Sequence, residues 1–528
     1  MKHIGARTGI FFGAERKRTV MNFKRTACLF LFAGMAVGAL AGEPALSALP
    51  RTSPEAQGIS SAGVLAFVQA ADQKIDAVHS FMLVRHGRVV AEAWWSPYAA
   101  DLQHTMFSLS KSFTSTAVGL AISEGKLSLD DPVVKFFPED APAQPGDFLK
   151  ALRVRDLLIM SSGQLSNSIS QFSFNTNEPL TREFFEMPVE HKPGTFFFYN
   201  TPGSYMLSAI VQKVTGQTEL EYLKPRLFEP LGIENPYWAL SPQGICLGGY
   251  GLSIRTEDIA KFGLLYLDRG YWRGKQLLPA DWVAAATARQ TSNGSDPNSD
   301  WEQGYGYQFW RARHNIYRGD GAFGQFCIVI PDKDAVVAIT SGTKDMAGVM
   351  NLVWDKLLPA MHNHPLTRDP ENLSKLTNAL THLTMHLLSG AGSPGAAAPM
   401  SGRKFVFPAN DQKIESAALA FGTNGNAATL TLRINGGEQR IECGDGAWTT
   451  GHMTFAPDIV EQAWEQPVAA SGAWTDESVY KAKLVFYETP FYVTFTLKFS
   501  GDQLLFDTEY NVVRRGNAKQ PQLTGQVQ

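Results

Sequence analysis

Cysteine is scarce in this sequence. The chain has four cysteines, of which Cys28 lies in an N-terminal apolar run and Cys246, Cys327 and Cys443 lie far apart in the rest. An odd and sparse set of three excludes a disulfide framework as the basis of the fold. Cys327 falls in the apolar run 326–330, which is typical of a strand, and we interpret its thiol as buried and inert.

Neither sign of charge is in large excess. The formal net charge is −3, which gives no indication of a nucleic-acid partner or of binding to an anionic membrane. Charged residues make up 18% and apolar residues 44% of the chain, the balance of a soluble globular protein with a sizeable core. The length allows about two to four domains.

Long apolar runs are lacking apart from one near the N-terminus. Lys24 and Arg25 precede the apolar residues 27–40, a run too short for a comfortable membrane anchor. A basic start, an apolar core and small residues at its end predict a signal peptide over 1–41, within which 1–20 is open to interpretation as a start-site extension. We therefore expect an exported protein, periplasmic or secreted, with no membrane insertion after cleavage.

Metal-ligand patterns are weak. The pairs His362/His364 and His382/His386 have spacings that occur in metal sites, but neither has a third ligand nearby in the sequence. We predict no metal and no other cofactor. The Gly-x-Ser-x-Gly elbow of an α/β-hydrolase is also lacking.

The sequence does contain a serine and a lysine three residues apart at the start of a predicted helix. Apolar or small residues recur at helical spacing after Ser108 and Lys111, and Gly125 indicates the end of the helix. Because positions i and i+3 share a helix face, Lys111 can direct its amine at the Ser108 hydroxyl, which needs a base to act as a nucleophile. The helix start also favours developing negative charge. The pair predicts a serine hydrolase; the alternative is a helix cap with a solvated lysine.

Ser-x-x-Lys occurs at four further places and is weak without its context. The other serines are Ser123, Ser341, Ser401 and Ser478. Ser478 opens a strand-like run, in which positions i and i+3 point to opposite faces. Glycines inside the remaining three motifs indicate turns or helix ends. Only Ser108 is followed by a predicted helix.

Two later segments offer the partners that a Ser–Lys pair requires. Tyr199 lies on a loop before a predicted helix, where a phenol near an ammonium is expected to have a lowered pKa and to carry protons. In the Gly-rich segment 318–325 the glycines would let a substrate approach the backbone, and the Ala322 N–H could complete an oxyanion hole with that of Ser108. The alternatives are an aromatic cluster around Tyr199 and a plain Gly-rich hairpin.

The order of predicted elements indicates an α+β fold. The predicted elements are a hairpin at 81–92, the helix after Ser108, a helix-rich region at 127–242, a helix at 257–270, strands at 305–310, 325–330 and 335–341, and a closing helix at 347–358. This order predicts a mixed, mainly antiparallel sheet flanked by helices, with a helical insertion.

The C-terminal part differs in composition from the rest. A leucine stripe at helical spacing (Leu373, Leu376, Leu380, Leu383, Leu387) predicts a docked helix, and a flexible linker follows at 389–399. Alternating apolar residues beyond it predict an all-β module. We divide the chain into a hydrolase domain at 42–362, a helix and linker at 363–401, and a β-rich module at 402–520.

We expect this module not to be needed for bond cleavage, because every residue assigned to chemistry precedes residue 326. It would act as a stability cap or, with Trp448, Trp464 and Trp474 nearby, cover one side of the cleft or bind a polymer.

Together these segments resemble the serine β-lactamase-like family, which comprises class C β-lactamases, DD-peptidases and related esterases and amide hydrolases. The resemblance covers residues 52–358. Ser108 and Lys111 look like its Ser-x-x-Lys box, 157–163 like its downstream Leu-Leu…Ser-Gly segment, and 193–200 like its tyrosine box. Gly319-Asp320-Gly321 stands where the family carries Lys-Thr-Gly or His-x-Gly.

The resemblance implies a reaction as well as a fold. It implies Ser108 as acyl-enzyme nucleophile, Lys111 and Tyr199 as the acid/base pair, and the amides of Ser108 and Ala322 as oxyanion donors. Substrate-binding positions would be Thr201, Gly319, Asp320 and Gly321. The substrate would be an ester, an amide or a peptide-like molecule.

Two departures bear on the substrate. Thr201 stands where the tyrosine box usually has asparagine, and Asp320 stands where the third box usually has a lysine or histidine. Both groups contact substrate in β-lactamases, so we expect acyl transfer without lactam specificity. The alternatives are a cell-wall DD-peptidase or a β-lactamase proper and, outside enzymes, a catalytically silent binding protein. Retention of Ser108, Lys111 and Tyr199 together argues against the silent protein.

Overall fold

The computed structural model describes residues 48–528 apart from 166–171, 173–177, 391–394, 396–397, 422–427 and 455–464. All described residues belong to one compact unit, Leu46–Gln528. The predicted signal peptide with Cys28, half of the predicted linker, and Trp464 lie outside the described residues. Within the described part of the chain, no helix has both the length and the apolar character needed to cross a membrane.

The helices lie mainly in the N-terminal two thirds of the chain. The α-helices are α1 (Ser61–Lys74), α2 (Ser110–Ser123), α3 (Asp147–Ala151), α4 (Val154–Leu158), α5 (Leu180–Glu186), α6 (Thr201–Thr215), α7 (Glu219–Leu223), α8 (Glu229–Leu231), α9 (Thr256–Leu267), α10 (Ala280–Thr287), α11 (Met346–Leu352), α12 (Leu358–Ala360) and α13 (Pro370–Thr381). Short 3₁₀ helices lie at Glu55–Gln57, Phe107–Leu109, Val133–Lys135, Arg313–Asn315, Pro331–Lys333 and Ala398–Met400, and π turns at Lys224–Phe228 and Val353–Leu357.

The strands fall into two large groups. The first eleven are β1 (Val78–Arg85), β2 (Arg88–Trp94), β3 (His104–Thr105), β4 (Tyr237–Trp238), β5 (Leu252–Ile254), β6 (Tyr271–Trp272), β7 (Lys275–Gln276), β8 (Trp310–Arg311), β9 (Tyr317–Gly321), β10 (Gln325–Ile330) and β11 (Ala335–Ser341). The C-terminal ten are β12 (Lys404–Val406), β13 (Ile414–Phe421), β14 (Ala428–Ile434), β15 (Gly437–Cys443), β16 (Thr449–Thr454), β17 (Glu465–Asp476), β18 (Val479–Val485), β19 (Tyr492–Ser500), β20 (Gln503–Tyr510) and β21 (Leu523–Val527).

An antiparallel sheet of order β2-β1-β11-β10-β9-β8 forms the centre of the N-terminal part. Its middle strands are buried on both faces, and alternate residues enter different cores: Met82 and Val84 pack with α2 and α9, whereas Phe81 and Leu83 pack with α1 and α11. This follows from the period of two along a strand. The predicted α+β sheet flanked by helices is confirmed, and its ladders are antiparallel throughout.

The C-terminal strands form an all-β module, as predicted. Their order is β15-β14-β13-β12-β21-β20-β19-β18-β17-β16. A bridge between Gly444, which follows β15, and Ser471 in β17 brings the two ends of this sheet together, so that it curves into a nearly closed barrel. Val493, Phe495 and Leu497 alternate into its core. We call residues 404–527 the β-module below.

Two element predictions are wrong in detail. The segment 305–309 is not a strand, because the chain bends at Gln308 (φ 62°) and Gly306 packs against α10, where a Cβ would lie 2.0 Å from the Ala286 carbonyl oxygen. The leucine-striped helix α13 ends at Thr381, so the stripe runs past the helix; it docks mainly on α1, with a smaller contact to β2, and buries Leu376.

The remaining cysteines behave as the sequence predicts. Cys246, Cys327 and Cys443 are buried free thiols. Burial raises the pKa of the Cys327 thiol to about 12, which keeps it protonated and unreactive.

Candidate active site

Ser108 and Lys111 lie at the start of the most deeply buried helix. Ser108 sits in the 3₁₀ turn Phe107–Leu109, which leads directly into α2. The Lys111 Nζ atom lies 3.2 Å from the Ser108 Oγ atom. Lys111 is 1% exposed, whereas Ser108 is half-buried. The amine therefore reaches the hydroxyl from the protein interior, which rules out the alternative of a solvated lysine beside a helix cap.

The surroundings of Lys111 favour a neutral amine. Among the described residues no carboxylate lies within ion-pair distance of it; its Nζ donates to the Gly249 carbonyl at 2.7 Å and to the Thr201 hydroxyl at 3.2 Å. The pKa of Lys111 is lowered to about 7: burial lowers it most, the positive charge of Arg514 also lowers it, and Asp320 opposes both. Above about pH 7 the amine is thus a free base.

A pair of glycines makes room for the carbonyl that holds Lys111. A Cβ on Gly249 would lie 2.7 Å from the Thr201 methyl carbon and 3.2 Å from the Lys111 Nζ atom. Gly248 has φ +60°, and a Cβ there would lie 2.6 Å from the Ser204 carbonyl oxygen. Sequence reasoning missed this turn, although the run Gly-Gly-Tyr-Gly at 248–251 was a signal for it.

Tyr199 lies where the sequence placed it, on the loop before α6. Asn200 caps that helix by accepting from the Gly203 N–H at 3.1 Å, and its amide donates to Ser162 Oγ at 3.1 Å and Gln164 Oε1 at 2.9 Å. The segment 157–163 thus helps to hold the tyrosine loop. The Tyr199 ring stacks on Trp310 at 5.4 Å, and its hydroxyl shares a hydrogen bond with Ser108.

The expectation of a lowered pKa for the Tyr199 phenol is wrong. Its pKa is raised, first by burial and then by the negative charge of Asp320, and the hydrogen bond with Ser108 opposes them only in part. The expected ammonium is also absent above about pH 7, because Lys111 is neutral there. Tyr199 is therefore a protonated phenol, suited to give a proton and not to take the first one.

The Gly319-Asp320-Gly321 box forms the end of strand β9. Asp320 is buried, and its carboxylate accepts from Arg318 at 2.9 Å and from the Trp301 indole at 3.1 Å. Burial raises the pKa of Asp320, and the Arg318 charge opposes that rise. Asp320 thus has its partners within the protein, and its effect on the site is the negative charge felt by Lys111 and Tyr199.

The two glycines of this box have a role in packing. A Cβ on Gly319 would lie 2.4 Å from Leu109 Cδ1, and one on Gly321 would lie 2.1 Å from the Met106 carbonyl oxygen. They therefore let β9 pack directly on the turn that carries Ser108, and their contact with substrate stays a prediction.

Phenylalanines in left-handed conformations adjoin both predicted oxyanion donors. Phe107 (φ 47°) precedes Ser108, and Phe323 (φ 68°) follows Ala322. Such backbone costs about 1–3 kcal/mol per non-glycine residue and persists only where packing enforces it. The two rings lie 5.5 Å apart, and each packs edge-on against Phe491 of the β-module, at 6.1 and 5.8 Å.

The β-module also bonds directly to the segments around the site. The Glu488 carbonyl accepts from the Thr105 N–H at 3.0 Å, and the Thr489 carbonyl accepts from the Tyr98 hydroxyl at 2.9 Å. With Phe491 these contacts hold the chain that enters the Ser108 turn. Long-range packing thus brings the module to the site; that bond cleavage does not need the module stays a prediction.

We expect Phe491→Ala to lower kcat/KM by about 10- to 100-fold, because small displacements of reacting groups have effects of this size. Phe499→Ala is the matched control: its ring is buried in the same barrel against Phe405 and Trp474, away from Phe107. Both variants lose core packing, and steady-state kinetics below their melting temperatures compares them. Equal losses of kcat/KM would show that Phe491 acts only through module stability.

Comparison with known proteins places the chain in a family. The family model described as Beta-lactamase matches residues 67–357, more than half of the chain. The 6-aminohexanoate-dimer hydrolase of Paenarthrobacter ureafaciens is 26% identical over 286 residues, which cover 50% of this chain and 73% of that protein. The lovastatin esterase of Penicillium rubens is 31% identical over 24% of this chain and 37% of its own length.

A solved structure also aligns with part of the chain. A penicillin-binding protein homologue from Caulobacter crescentus aligns with a TM-score of 0.47 and 16% identity, over 59% of this chain and all of that one. The extent of the family match shows that the chain belongs to the beta-lactamase family. The protein is a serine hydrolase of that family.

Proposed function

We propose that the protein hydrolyses esters or amides through a covalent acyl-enzyme on Ser108. The observation that carries the proposal is the buried Lys111 amine, 3.2 Å from Ser108 Oγ, whose pKa is lowered to about 7. A serine hydroxyl becomes an effective nucleophile when an adjacent base is neutral at the working pH. Export through the predicted signal peptide is part of the proposal.

The geometry supports a division of proton transfer between two groups. Neutral Lys111 takes the Ser108 proton as Oγ attacks the carbonyl carbon, and the amides of Ser108 and Ala322 stabilise the oxyanion. Tyr199 is a protonated phenol that is hydrogen-bonded to Ser108. It gives its proton to the leaving oxygen or nitrogen and regains one from Lys111. Water then attacks the acyl-enzyme with the same groups acting in reverse, which restores Ser108 and releases the acid.

The names of relatives support an ester or amide substrate. One similar protein is named a 6-aminohexanoate-dimer hydrolase and another a lovastatin esterase. In this chain the Thr201 hydroxyl accepts from Lys111, and Asp320 is paired with Arg318. Neither position offers the amide or the cation that would bind a lactam's polar groups.

We therefore expect p-nitrophenyl esters to be cleaved with a kcat/KM at least about 100-fold above that for nitrocefin, the size of effect of a few lost polar contacts. Initial rates for both substrates on one preparation measure this, and a peptide ending in D-alanyl-D-alanine tests the DD-peptidase alternative. Nitrocefin turnover in the usual enzyme range of roughly 10⁴–10⁸ M⁻¹s⁻¹ without ester cleavage would overturn the assignment. Absence of turnover on all three would favour the binding protein.

A further inference from the structure

The β-module projects a loop towards the active site. Strand β20 ends at Tyr510, whose N–H donates to the Ala518 carbonyl at 3.0 Å and closes the loop 511–517. At the base of this loop, Val512 is buried in the module core, and the Asn511 amide donates to the Gly342 carbonyl at 2.8 Å, just beyond β11. The loop is therefore anchored both in the barrel and on the hydrolase sheet.

Arg514 lies on this loop and faces the site. Its guanidinium carbon lies 5.8 Å from the centroid of the Tyr250 ring. Tyr250 follows Gly249, whose carbonyl accepts from Lys111. The Arg514 charge also reaches the amine itself, since it lowers the pKa of Lys111. A residue more than 400 positions away in the sequence thus contributes to the electrostatics of the Ser–Lys pair.

The charge of Arg514 is not neutralised within the described part of the protein. No carboxylate there lies within ion-pair distance of its exposed guanidinium, and the nearest acid that acts on the site, Asp320, is paired with Arg318. A guanidinium presents a planar fork of donors that matches a carboxylate. With Lys111 neutral, this leaves the positive charge of Arg514 beside the Ser–Lys pair.

We propose that Arg514 binds a carboxylate of the substrate, so that the enzyme prefers esters or amides carrying a carboxylate in the acyl or the leaving portion. This inference rests on the proposed function and specifies its substrate class. It gives the β-module a part in substrate selection, through a loop that lies outside the Ser-x-x-Lys and tyrosine boxes.

Two matched ester pairs test the proposal and distinguish the two portions. The pair 3-acetoxybenzoate and 3-acetoxybenzamide differs by a charge in the leaving group, and the pair monophenyl adipate and phenyl hexanoate by a charge in the acyl group. For each pair the ratio of kcat/KM, charged over neutral, is measured in wild type, Arg514→Ala, Arg514→Lys and Arg515→Ala. Measurement at pH 9 keeps Lys111 neutral and separates binding from the shift in its pKa.

The expected result is a wild-type ratio above one in at least one pair that falls about tenfold or more in Arg514→Ala. It should be partly kept in Arg514→Lys and stay within twofold in Arg515→Ala, which removes the same charge from the neighbouring exposed position. Added salt at 0.5 M should lower the ratio in wild type more than in Arg514→Ala. An equal ratio in wild type and Arg514→Ala would overturn the inference while leaving the proposed function intact.

Failure of the proposed function has a different signature. It would appear as absence of Ser108-dependent turnover on every ester. Binding of adipate or 3-hydroxybenzoate, compared with hexanamide or 3-hydroxybenzamide by isothermal titration calorimetry, then tests Arg514 without turnover and without labelling of Ser108. Tighter binding of the acids that is lost in Arg514→Ala supports the carboxylate site, and equal binding contradicts it.

Discussion

Ser108→Ala is expected to lower kcat/KM for p-nitrophenyl esters by about 10⁴-fold or more, the loss seen when a catalytic nucleophile is removed. Ser108 is half-buried and precedes α2, and removal of its hydroxyl leaves the packing of α2 in place. Melting temperature should therefore change little. A kcat/KM that stays at the wild-type level in Ser108→Ala would mean that another group attacks the substrate.

The sequence supplies a matched control for this variant. Ser123 opens a second Ser-x-x-Lys motif with Lys126, and both lie exposed at the end of α2, where the Ser123 hydroxyl donates to the Leu120 carbonyl. Ser123→Ala should keep kcat/KM within twofold of wild type. Ser108→Ala and Ser123→Ala then make the same chemical change in the same sequence motif, and they differ only in where the motif lies in the fold.

Lys111→Met is expected to lower kcat/KM by about 10³-fold, within the usual range for loss of a general base. In the wild type, kcat/KM should rise with pH with a midpoint near 7, since only the neutral amine accepts the Ser108 proton. Burial lowers the pKa that sets this midpoint most, Arg514 lowers it as well, and Asp320 raises it. A pH–rate profile measures it, and Lys126→Met, at the exposed lysine, should leave the profile unchanged.

Lys111→Met also changes the stability of the protein, and the sign of this change follows from the lowered pKa of Lys111. The folded-state pKa of about 7 lies below the ordinary value of 10.5, so between these values the unfolded chain binds more protons than the folded one. The contribution of Lys111 to the free energy of unfolding therefore rises with pH across this window. Lys111→Met should stabilise the protein most below pH 7, and the gain should shrink towards pH 10.5. A pH-independent difference would contradict the lowered pKa.

Local patterns predicted the parts of the site that lie on one element. Ser108 and Lys111 share a face because they are three residues apart on a helix start, and Tyr199 precedes α6 as its flanking residues indicated. Continuous apolar runs predicted the strands β10 and β11, which are buried on both faces, and the predicted bounds match the structure. Alternation likewise predicted the β-module.

Features that depend on tertiary contact did not follow from the sequence. The pKa of Tyr199 is raised where a lowered pKa was expected, because burial and Asp320 raise it and the nearby Lys111 amine is itself neutral. The glycines of β9 make room for the Ser108 turn, a neighbour more than 200 residues away. Phe491 and Arg514 reach the site through the docking of the β-module, which no local pattern encodes.

Trapping a covalent adduct on the nucleophile, phosphonyl or acyl, tests the central claim most directly. Folded wild-type protein treated with a fluorophosphonate, or quenched in acid during turnover of a p-nitrophenyl ester, is analysed by intact mass and peptide mapping. We predict one adduct per chain on the peptide containing Ser108, formed faster as the pH rises through about 7 and absent in Ser108→Ala. Adducts only at other residues, or no adduct in folded protein that turns over the ester, would contradict the assignment of Ser108 as nucleophile.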